Sequence, residues 1–523
     1  EITIAPIYEN TDSETTFNWT IDGKSICTTS TLTFSADEAG RYFILISATN
    51  AGGTTEKEIR IDVFQLDVPT ISIADADKGF KVLQGSELTI TPIVDSFLET
   101  SYSWQINGED ISNELTCTLP TIELGEYQVR FATHNEDGDD EVTFKVEVCS
   151  PDQVDFNWTF LQTEYNMSAG RTIRIKPVDV NNALDAVYTW TVDNEQVQSG
   201  ENDTYLFTSE QQGEHTVKVE MKNSYILATQ TLKVNVCPPA GTYQRKISAT
   251  SSASMNKVYE YLPAPGQFIN ENHNTITMAE ACTYAEERIN QTAYVSLGGF
   301  GGYIIVGFDH SIVNDGDYNI AITGNAFDGS SEPGIVWVMQ DENGDGLPND
   351  TWYELRGSEY GKAETWQDYA VTYHKPTGIQ LPTPWTDNHG QSGSIDYLGA
   401  FHRQDYYYPA WVKEKQYTLR GTRLKERNYD QSGNGTYWVN DSYEWGYADN
   451  FSAIDRLTDD DNYNAGPSDN HFKISHAVTF DGKDANLKYV DFIKVQVGVN
   501  SKSGWLGEIS TEVFGIKDFN MLK

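Results

Sequence analysis

The chain has 523 residues. A single hydrophobic core rarely supports a chain of this length, so we expect several domains. Its 77 acidic residues outnumber its 36 basic residues, and the formal net charge of −41 excludes nucleic acid and anionic membrane surfaces as favourable partners. The 30 Tyr, 22 Phe and 12 Trp residues, together with 41 Gly, favour strands and turns over helices. An all-β fold is therefore expected, and no apolar run is long enough for a transmembrane helix.

The first 237 residues contain an internal repeat. A motif of the form W-x-[IV]-[DN]-[GN] occurs three times, at Trp19, Trp104 and Trp190, which lie 85 and 86 residues apart. Each unit alternates apolar and polar residues between Gly, Asn and Asp turns, a pattern that predicts a small antiparallel sandwich around one buried Trp. Other landmarks share the period: Pro6, Pro92 and Pro177; Gly40, Gly125 and Gly213; Asn50, Asn135 and Asn223.

These motifs resemble the PKD-like family of immunoglobulin-type sandwiches, which occur as strings on bacterial surface proteins. The resemblance implies three modules, over residues 1–65, 66–148 and 149–237. The first module lacks the opening strand that PTISIADADKGFKVLQGS supplies to the second, so we expect it to be truncated. We expect the modules to form a stalk in line that holds the rest of the chain away from a membrane.

Residues 238–523 follow a linker, CPPAG, and form a separate C-terminal domain. One short helix is predicted in TMAEACTYAEERIN, where Thr277 caps the N-terminus and Glu280 completes a capping box. The remaining patterns, such as YNIAITGNAF, PGIVWVMQ and VDFIKVQVGV, predict strands. The fold class expected for the whole chain is therefore all-β: tandem immunoglobulin-like (PKD-like) sandwiches followed by a larger β-sandwich or jelly-roll-like C-terminal domain.

The acidic run DENGDGLPND, residues 341–350, has the spacing of the first half of a calcium loop. Position twelve of an EF-hand would be Glu but is Trp352 here, and strand patterns flank the run, which favours a structural site over a switch. The alternative is a metal-free hairpin turn stabilised by Asx and Gly geometry. The candidate calcium ligands are Asp341, Asn343, Asp345, Leu347 through its carbonyl, Asp350 and Glu354.

Two aromatic stretches, residues 382–415 and 437–450, are the candidates for binding a small molecule. Their prolines and glycines predict irregular loops, and rings in loops offer flat apolar contact with polar tips. The alternative is that most of these rings fill the core of the domain. The candidate residues are Trp385, His389, Tyr397, His402, Tyr406, Tyr407, Tyr408, Trp411, Trp445 and Tyr447.

Catalytic motifs such as GxSxG and HExxH are absent from the sequence. Glu508 and Glu512, in WLGEISTEVFG, would share one face of a strand, where two acids could serve glycoside hydrolysis as acid and base. A surface or metal-contacting role is equally available to them. We expect a binding protein rather than an enzyme.

The tandem modules precede a domain that contains SLGGFGGYIIVGFDHSI, EPGIVWVMQDENGDGLPNDTWYELRGSEY and LGEISTEVFG. This arrangement resembles surface lipoproteins of gut Bacteroidetes, in particular the class that captures cobalamin beside a TonB-dependent outer-membrane transporter. The resemblance implies the outer face of a Gram-negative outer membrane, a lipid anchor upstream of EITIAPI, that transporter as partner, and cobalamin as ligand. A glycan would use nearly the same residues, because rings also stack on sugar faces, and it remains the alternative ligand.

Overall fold

The computed structural model describes residues 1–36, 40–63, 66–73, 76–96, 98–150, 153, 157–181, 183, 185–223, 226–271, 273–457 and 467–523. Strands dominate these residues, and the prediction of an all-β fold with immunoglobulin-like modules is confirmed. Among the described residues, no helix has the length and apolarity that a membrane crossing requires.

The first module is a two-sheet sandwich in which strands pair in the order β3-β2-β5-β6 and β1-β4. Trp19 on β2 is fully buried, and its Nε1 donates to the Thr29 carbonyl at 2.9 Å. The strands are β1 (Ile2–Ile4), β2 (Thr16–Ile21), β3 (Lys24–Cys27), β4 (Leu32–Phe34), β5 (Gly40–Asn50) and β6 (Gly53–Val63).

The second module repeats this plan and adds a parallel edge strand, β8, to the sheet β12-β11-β14-β15-β8. Trp104 on β11 occupies the core position of Trp19, and its Nε1 donates to the Glu114 carbonyl at 2.9 Å. The strands are β7 (Thr70–Ser72), β8 (Phe80–Leu83), β9 (Leu88–Ile90), β10 (Ile93–Asp95), β11 (Ser101–Ile106), β12 (Glu109–Ser112), β13 (Cys117–Leu119), β14 (Gly125–Asn135) and β15 (Gly138–Cys149).

The third module has the five-stranded order β16-β22-β21-β18-β19 beside the pair β17-β20. Trp190 on β18 is fully buried, but its Nε1 has no hydrogen-bond partner among the described residues. The strands are β16 (Glu164–Ser168), β17 (Thr172–Ile175), β18 (Val187–Val192), β19 (Glu195–Gly200), β20 (Tyr205–Thr208), β21 (Gly213–Lys222) and β22 (Leu227–Cys237).

The C-terminal domain is built on a six-stranded sheet, β23-β25-β37-β27-β28-β36, with a three-stranded sheet, β35-β26-β39, and a four-stranded sheet, β31-β30-β29-β32. Apolar residues of all three sheets share one core cluster, as a sandwich requires. The elements are β23 (Lys257–Leu262), α1 (Met278–Asn290), β24 (Val295–Ser296), β25 (Tyr303–Val313), β26 (Ile320–Gly324), β27 (Gly334–Met339), β28 (Trp352–Leu355), β29 (Trp366–His374), β30 (Thr383–Asp387), β31 (Ser392–Ile395), β32 (Gln416–Arg423), β33 (Asn428–Asp430), β34 (Trp438–Asn440), β35 (Ser468–Phe472), β36 (Ala477–Val478), β37 (Tyr489–Val497), β38 (Glu512–Val513) and β39 (Gly515–Asp518).

Short 3₁₀ turns and one helix complete the domain as far as the structure describes it. The turns lie at Ile474–His476, Gly504–Leu506 and Phe519–Met521. Helix α1 begins as predicted: the Thr277 side chain accepts from the Glu280 backbone N–H, and the Glu280 side chain accepts from the Thr277 N–H. Its inner face buries Ala281 and Ala285 in the core.

The second and third modules contact the C-terminal domain directly. In the second module, the Thr91 hydroxyl donates to the Gly390 carbonyl at 2.5 Å, and the Ser392 hydroxyl donates to the Thr91 carbonyl at 3.0 Å. The third module forms a larger set of polar contacts through Arg171, Arg174 and Lys176. This packing differs from the expected stalk of modules in line, and it creates a groove between the third module and the C-terminal domain.

Candidate functional site

A cleft of about 730 Å³ lies between the third module and the C-terminal domain. Its size falls in the range of about 300–1,000 Å³ that is typical of ligand pockets, and domain interfaces are a preferred place for them. The third module contributes residues of β17 and the following loop, and the C-terminal domain contributes β27, β28, β29 and β32. Six aromatic residues line the cleft: Tyr165, Trp337, Trp352, Tyr353, Tyr360 and Phe480.

Strand register places the polar residues of the cleft. Across the six-stranded sheet, Glu260, Ile305, Lys494, Trp337 and Glu354 are successive cross-strand partners on β23, β25, β37, β27 and β28. Directly opposed residues share one face of a sheet, so these five side chains form a row. The last three of them line the cleft, although they come from distant parts of the chain.

Lys494 lies among aromatic rings. Its Nζ is 4.9 Å from the ring centroid of Trp337, 5.5 Å from that of Tyr303 and 5.6 Å from that of Trp352, all within cation–π range. Burial lowers the pKa of Lys494 to about 8, although Glu260 and Glu354 oppose the shift. Within the described part of the chain, the Lys494 ammonium has no hydrogen-bond acceptor.

Trp337 and Glu354 complete the polar centre of the cleft. The Trp337 Nε1–H is buried without an acceptor among the described residues. The Glu354 carboxyl accepts from the Thr422 hydroxyl at 2.5 Å, and burial raises the pKa of Glu354 to about 7. Buried polar groups are nearly always paired, so two unpaired donors that line one cleft indicate a place for a ligand oxygen.

Ion pairs between the two domains form the rim of the cleft. Asp368 on β29 accepts from Arg174 Nη2 at 3.0 Å and from Lys176 Nζ at 2.7 Å, and the two cations hold the pKa of Asp368 low against its burial. On β32, Arg420 pairs with Asp179 of the third module. The rim therefore pairs three cations with two acids and carries one excess positive charge.

Arg171 fixes the third module to the acidic loop. Its Nη2 donates to Gln340 Oε1 at 2.9 Å, its Nη1 donates to the Tyr353 hydroxyl at 3.2 Å, and its Nε lies 3.1 Å from Glu342 Oε1. The Glu342 side chain is 1% exposed and also accepts from the Ser168 backbone N–H at 3.0 Å. The loop that the sequence marks as a calcium candidate is thus the joint between the two domains.

Hydrogen bonds within the acidic loop close it on itself. Asp341 accepts from the Gly344 and Gly346 N–H groups at 2.8 and 3.1 Å, and Asp345 accepts from the Leu347 N–H at 2.7 Å. Gly344 and Gly346 have φ of 77° and 74°, which glycine adopts without strain.

The other candidate ligands surround this turn or lie beyond it. Asn343 donates to Asp345 Oδ2 at 2.8 Å, and Asp350 accepts from the Glu342 N–H at 2.9 Å. Burial raises the pKa of Asp350 to about 8. Glu354 belongs to β28, where its partner is Thr422. These contacts are those of an Asx-rich turn, and calcium binding by it stays a prediction.

The ten candidate ligand-binding residues fall into two groups. Tyr407, Tyr408, Trp411 and Tyr447 are at most 6% exposed and lie in the core, where three of them donate to backbone carbonyls and the Tyr447 hydroxyl accepts from a backbone N–H. The other six are half-buried or exposed: Trp385, His389, Tyr397, His402, Tyr406 and Trp445. None of the ten lines the cleft.

The same two aromatic stretches expose other rings. Phe401 is 64% exposed and Tyr437 is 60% exposed. The Phe401 ring lies 6.2 Å from the ring of Trp505, whose Nε1 donates to the Thr436 carbonyl at 3.3 Å beside Tyr437. We call Phe401, Tyr437 and Trp505 the aromatic platform.

Glu508 and Glu512 are both 5% exposed and have different partners. Glu508 accepts from the Gln267 N–H at 2.7 Å, and burial raises its pKa to about 8. Glu512 lies with Glu332 and Asp449, and one carboxylate oxygen of each is within 4.8 Å of the others. Burial raises the pKa of all three, that of Glu332 to about 7 and that of Asp449 to about 8. These three acids could share protons or hold a cation.

Comparison with known proteins identifies the first part of the chain. A family model described as the PKD-like domain matches residues 1–50, 68–135 and 140–223. The chain carries tandem PKD-like domains. No curated protein matches the chain.

Several solved structures match part of the chain. The fibronectin(III)-like modules of CbhA from Clostridium thermocellum are 16% identical, with 34% of this chain and 100% of that chain covered and a TM-score of 0.18. The three N-terminal domains of the outer capsid protein Hoc of bacteriophage RB49 are 15% identical, with 45% and 92% covered and a TM-score of 0.20. An I-band fragment of titin is 14% identical, with 44% and 89% covered and a TM-score of 0.19.

The sequence did not reveal the residues that join the third PKD-like module to the cleft. Arg171 and Arg174 are ordinary basic residues of a strand-and-turn pattern, and nothing local shows that they face another domain. Lys494 did leave a signal, because it is one of only two charged residues, with Asp491, in the mostly apolar run VDFIKVQVGV. Such a charge needs a partner or a cavity.

Proposed function

We propose that the protein captures a small molecule at the bacterial cell surface, and that it binds this ligand in the cleft between the third PKD-like module and the C-terminal domain. The observation that carries the proposal is the pair of unpaired donors, Lys494 Nζ and Trp337 Nε1, among aromatic faces. A ligand with a flat apolar face and an oxygen acceptor would satisfy both features.

Cobalamin, or another corrinoid, is the first choice of ligand. A corrin ring is flat and carries a fringe of amides, whose carbonyl oxygens can accept from Lys494 and Trp337. The Trp352 ring, which also lines the cleft, offers a flat face beside them. The resemblance of the C-terminal motifs to cobalamin-capturing surface lipoproteins favours the same ligand. It also supports a lipid anchor upstream, a position on the outer membrane and handover to a TonB-dependent transporter.

A glycan is the second candidate, and a different observation favours it. The aromatic platform exposes Phe401, Tyr437 and Trp505 at neighbouring positions, and exposed rings are the usual stacking surface for sugars. The two ligands would therefore use different faces of the C-terminal domain. Variants of the two faces can separate them.

The test is calorimetric titration of the whole chain with cyanocobalamin and with a panel of soluble glycans. Lys494→Met and Trp337→Phe each remove one donor, and each should weaken corrinoid binding about tenfold, the loss of one hydrogen bond to a desolvated group. The matched control is Lys257→Met, because Lys257 also lies over a ring, 4.2 Å from Tyr259, but outside the cleft.

The outcomes separate the candidates. Corrinoid binding that both cleft variants weaken, and that Lys257→Met leaves unchanged, supports the proposal. Glycan binding that Trp505→Ala abolishes supports the second candidate. The proposal fails if neither ligand releases or absorbs heat, or if the cleft variants bind cobalamin as the unaltered chain does.

A further inference from the structure

A second, smaller cavity of about 240 Å³ lies in the C-terminal domain and shares no lining residue with the cleft. It forms where the end of β28 meets the 3₁₀ turn Ile474–His476 and the segment after Tyr443. Four side chains that can carry positive charge line it, and only one acid does. The four are Arg356, His471, Lys473 and His476, and the acid is Asp455.

Basic side chains outnumber acids in the lining of this cavity, although the chain as a whole is strongly acidic. The pKa of His476 is lowered first by burial and then by the charges of Arg356 and Lys473, with Asp484 opposing them. Asp455 is 2% exposed and already accepts from the Gly446 N–H at 2.6 Å and from Asn470 Nδ2 at 3.0 Å. Its oxygens are therefore committed to other donors.

Several donors in the cavity have no acceptor. Among the described residues, neither the His476 ring nor the Trp445 Nε1–H has a hydrogen-bond partner, and their rings lie 5.1 Å apart. The Lys473 ammonium lies 3.9 Å from Asp317, too far for a hydrogen bond, and 4.6 Å from the Tyr318 ring.

The acids that face these cations from outside are exposed. Asp317 and Asp484 have side chains that are 68% and 56% exposed, and Asp484 pairs with Arg356 at 2.8 Å. Exposed pairs of this kind contribute little and are easily exchanged for another anion. A bound anion could thus replace both contacts at small cost.

We propose that this cavity binds a compact oxyanion group, a phosphate or a carboxylate, through Arg356, Lys473, His476 and Trp445. Charge-assisted N–H···O hydrogen bonds are short and strong, and a cavity of this size suits a single oxyanion group. The Trp445 ring would form the wall against which the apolar part of an organic phosphate or acid lies. The site is independent of the cleft, so it stands or falls separately from the capture of a small molecule there.

The experiment follows the Trp445 signal by ¹⁹F NMR in the whole chain labelled with 5-fluorotryptophan, and Trp445→Phe assigns that signal. Sodium phosphate is titrated at constant ionic strength against sodium chloride, and a parallel titration uses sodium acetate. We expect a saturable shift of the Trp445 signal, with the dissociation constant raised about tenfold in Lys473→Met and in Arg356→Met. The control is Lys483→Met, whose lysine is 80% exposed and pairs only with Asp481 among the described residues.

Each outcome decides the question. A shift with phosphate alone assigns a phosphate site, and a shift with both anions assigns a general oxyanion site. The remaining tryptophan signals show whether each variant is folded, and Lys473→Met suffices if Arg356→Met is not. The proposal is overturned if the Trp445 signal shows no saturable shift, if chloride alone shifts it equally, or if the dissociation constant in Lys473→Met equals that of the control.

Discussion

Substituting Arg171 with Met should loosen the joint between the third PKD-like module and the C-terminal domain. Met keeps most of the length of the side chain but removes the charge and all donors. The Glu342 carboxylate, 1% exposed, would then keep only the Ser168 N–H, and Gln340 Oε1 would lose its donor. The substitution therefore creates a buried charge without a counterion.

The loss of stability in Arg171→Met can be judged from the burial of Arg171 and Glu342. Removal of one partner from a buried ion pair costs about 3–5 kcal/mol, because the remaining charge stays desolvated. A surface pair in the same module is the matched control: Lys233 and Glu214 lie 3.0 Å apart, with side chains 52% and 55% exposed. Lys233→Met should cost far less than Arg171→Met, because both charges of this pair are exposed to solvent.

Urea unfolding, followed by tryptophan fluorescence, measures both variants. The double variant Arg171→Met/Glu342→Gln should recover part of the loss, because it removes the unpaired charge as well. Burial raises the pKa of Glu342, and the charge of Arg171 opposes this shift. Without Arg171 the Glu342 carboxyl is protonated more readily. The loss of stability caused by Arg171→Met should therefore shrink as the pH falls. A buried ion pair at this joint is contradicted if Arg171→Met costs no more than Lys233→Met, or if the double variant is as unstable as the sum of the single ones.

Three further predictions concern the cores and the loop. Trp104→Phe should lower the free energy of unfolding by about 1 kcal/mol more than Trp190→Phe. Of these two indole N–H groups, only that of Trp104 donates to a carbonyl, that of Glu114. Equal losses in urea titrations would contradict this. Burial raises the pKa of Glu512 well above the usual range of a glutamate, so the folded state binds this proton more tightly than the unfolded chain does. Stability should therefore fall as the pH rises above that usual range, and Glu512→Gln should flatten the fall; parallel pH profiles of the urea midpoint would disprove it. Excess calcium should raise the melting temperature, and EDTA should lower it, if the loop 341–350 holds calcium; no shift in either direction would leave it a metal-free turn.

The parts of the fold that could be predicted from the sequence are those whose causes are local. The tryptophan motif recurs because each PKD-like module buries its own Trp within about 85 residues, so the period itself reveals the modules. Helix α1 is predicted by Thr277 and Glu280, which satisfy its first N–H groups without help from the rest of the domain. The contacts of the second and third modules with the C-terminal domain have no such local cause. For that reason the prediction of a stalk of modules in line was wrong.

The aromatic stretches show the same limit for the candidate site. Phe401 and Tyr407 lie six residues apart in one Gly- and Pro-containing segment, yet Phe401 is 64% exposed and Tyr407 is 1% exposed. The difference depends on which loops cover the segment: the Tyr407 hydroxyl donates to the His402 carbonyl and accepts from the Leu398 N–H. Composition identifies a region rich in rings, but it does not separate core rings from exposed rings.

Lys494 shows which kind of pattern deserves more weight than ring content. Ile493 and Val495, on either side of Lys494 in the strand, are fully buried. A lysine at such a position costs free energy unless its ammonium reaches an acid, a ring or solvent. The register gives it a ring and solvent: Trp337 is its cross-strand partner and the cleft opens beside them, while Glu354 follows in the same row without a hydrogen bond to the ammonium. A lysine in a mostly apolar strand therefore indicates a polar cavity over that face of the sheet, and the alternation of side chains shows which residues of the neighbouring strands line it.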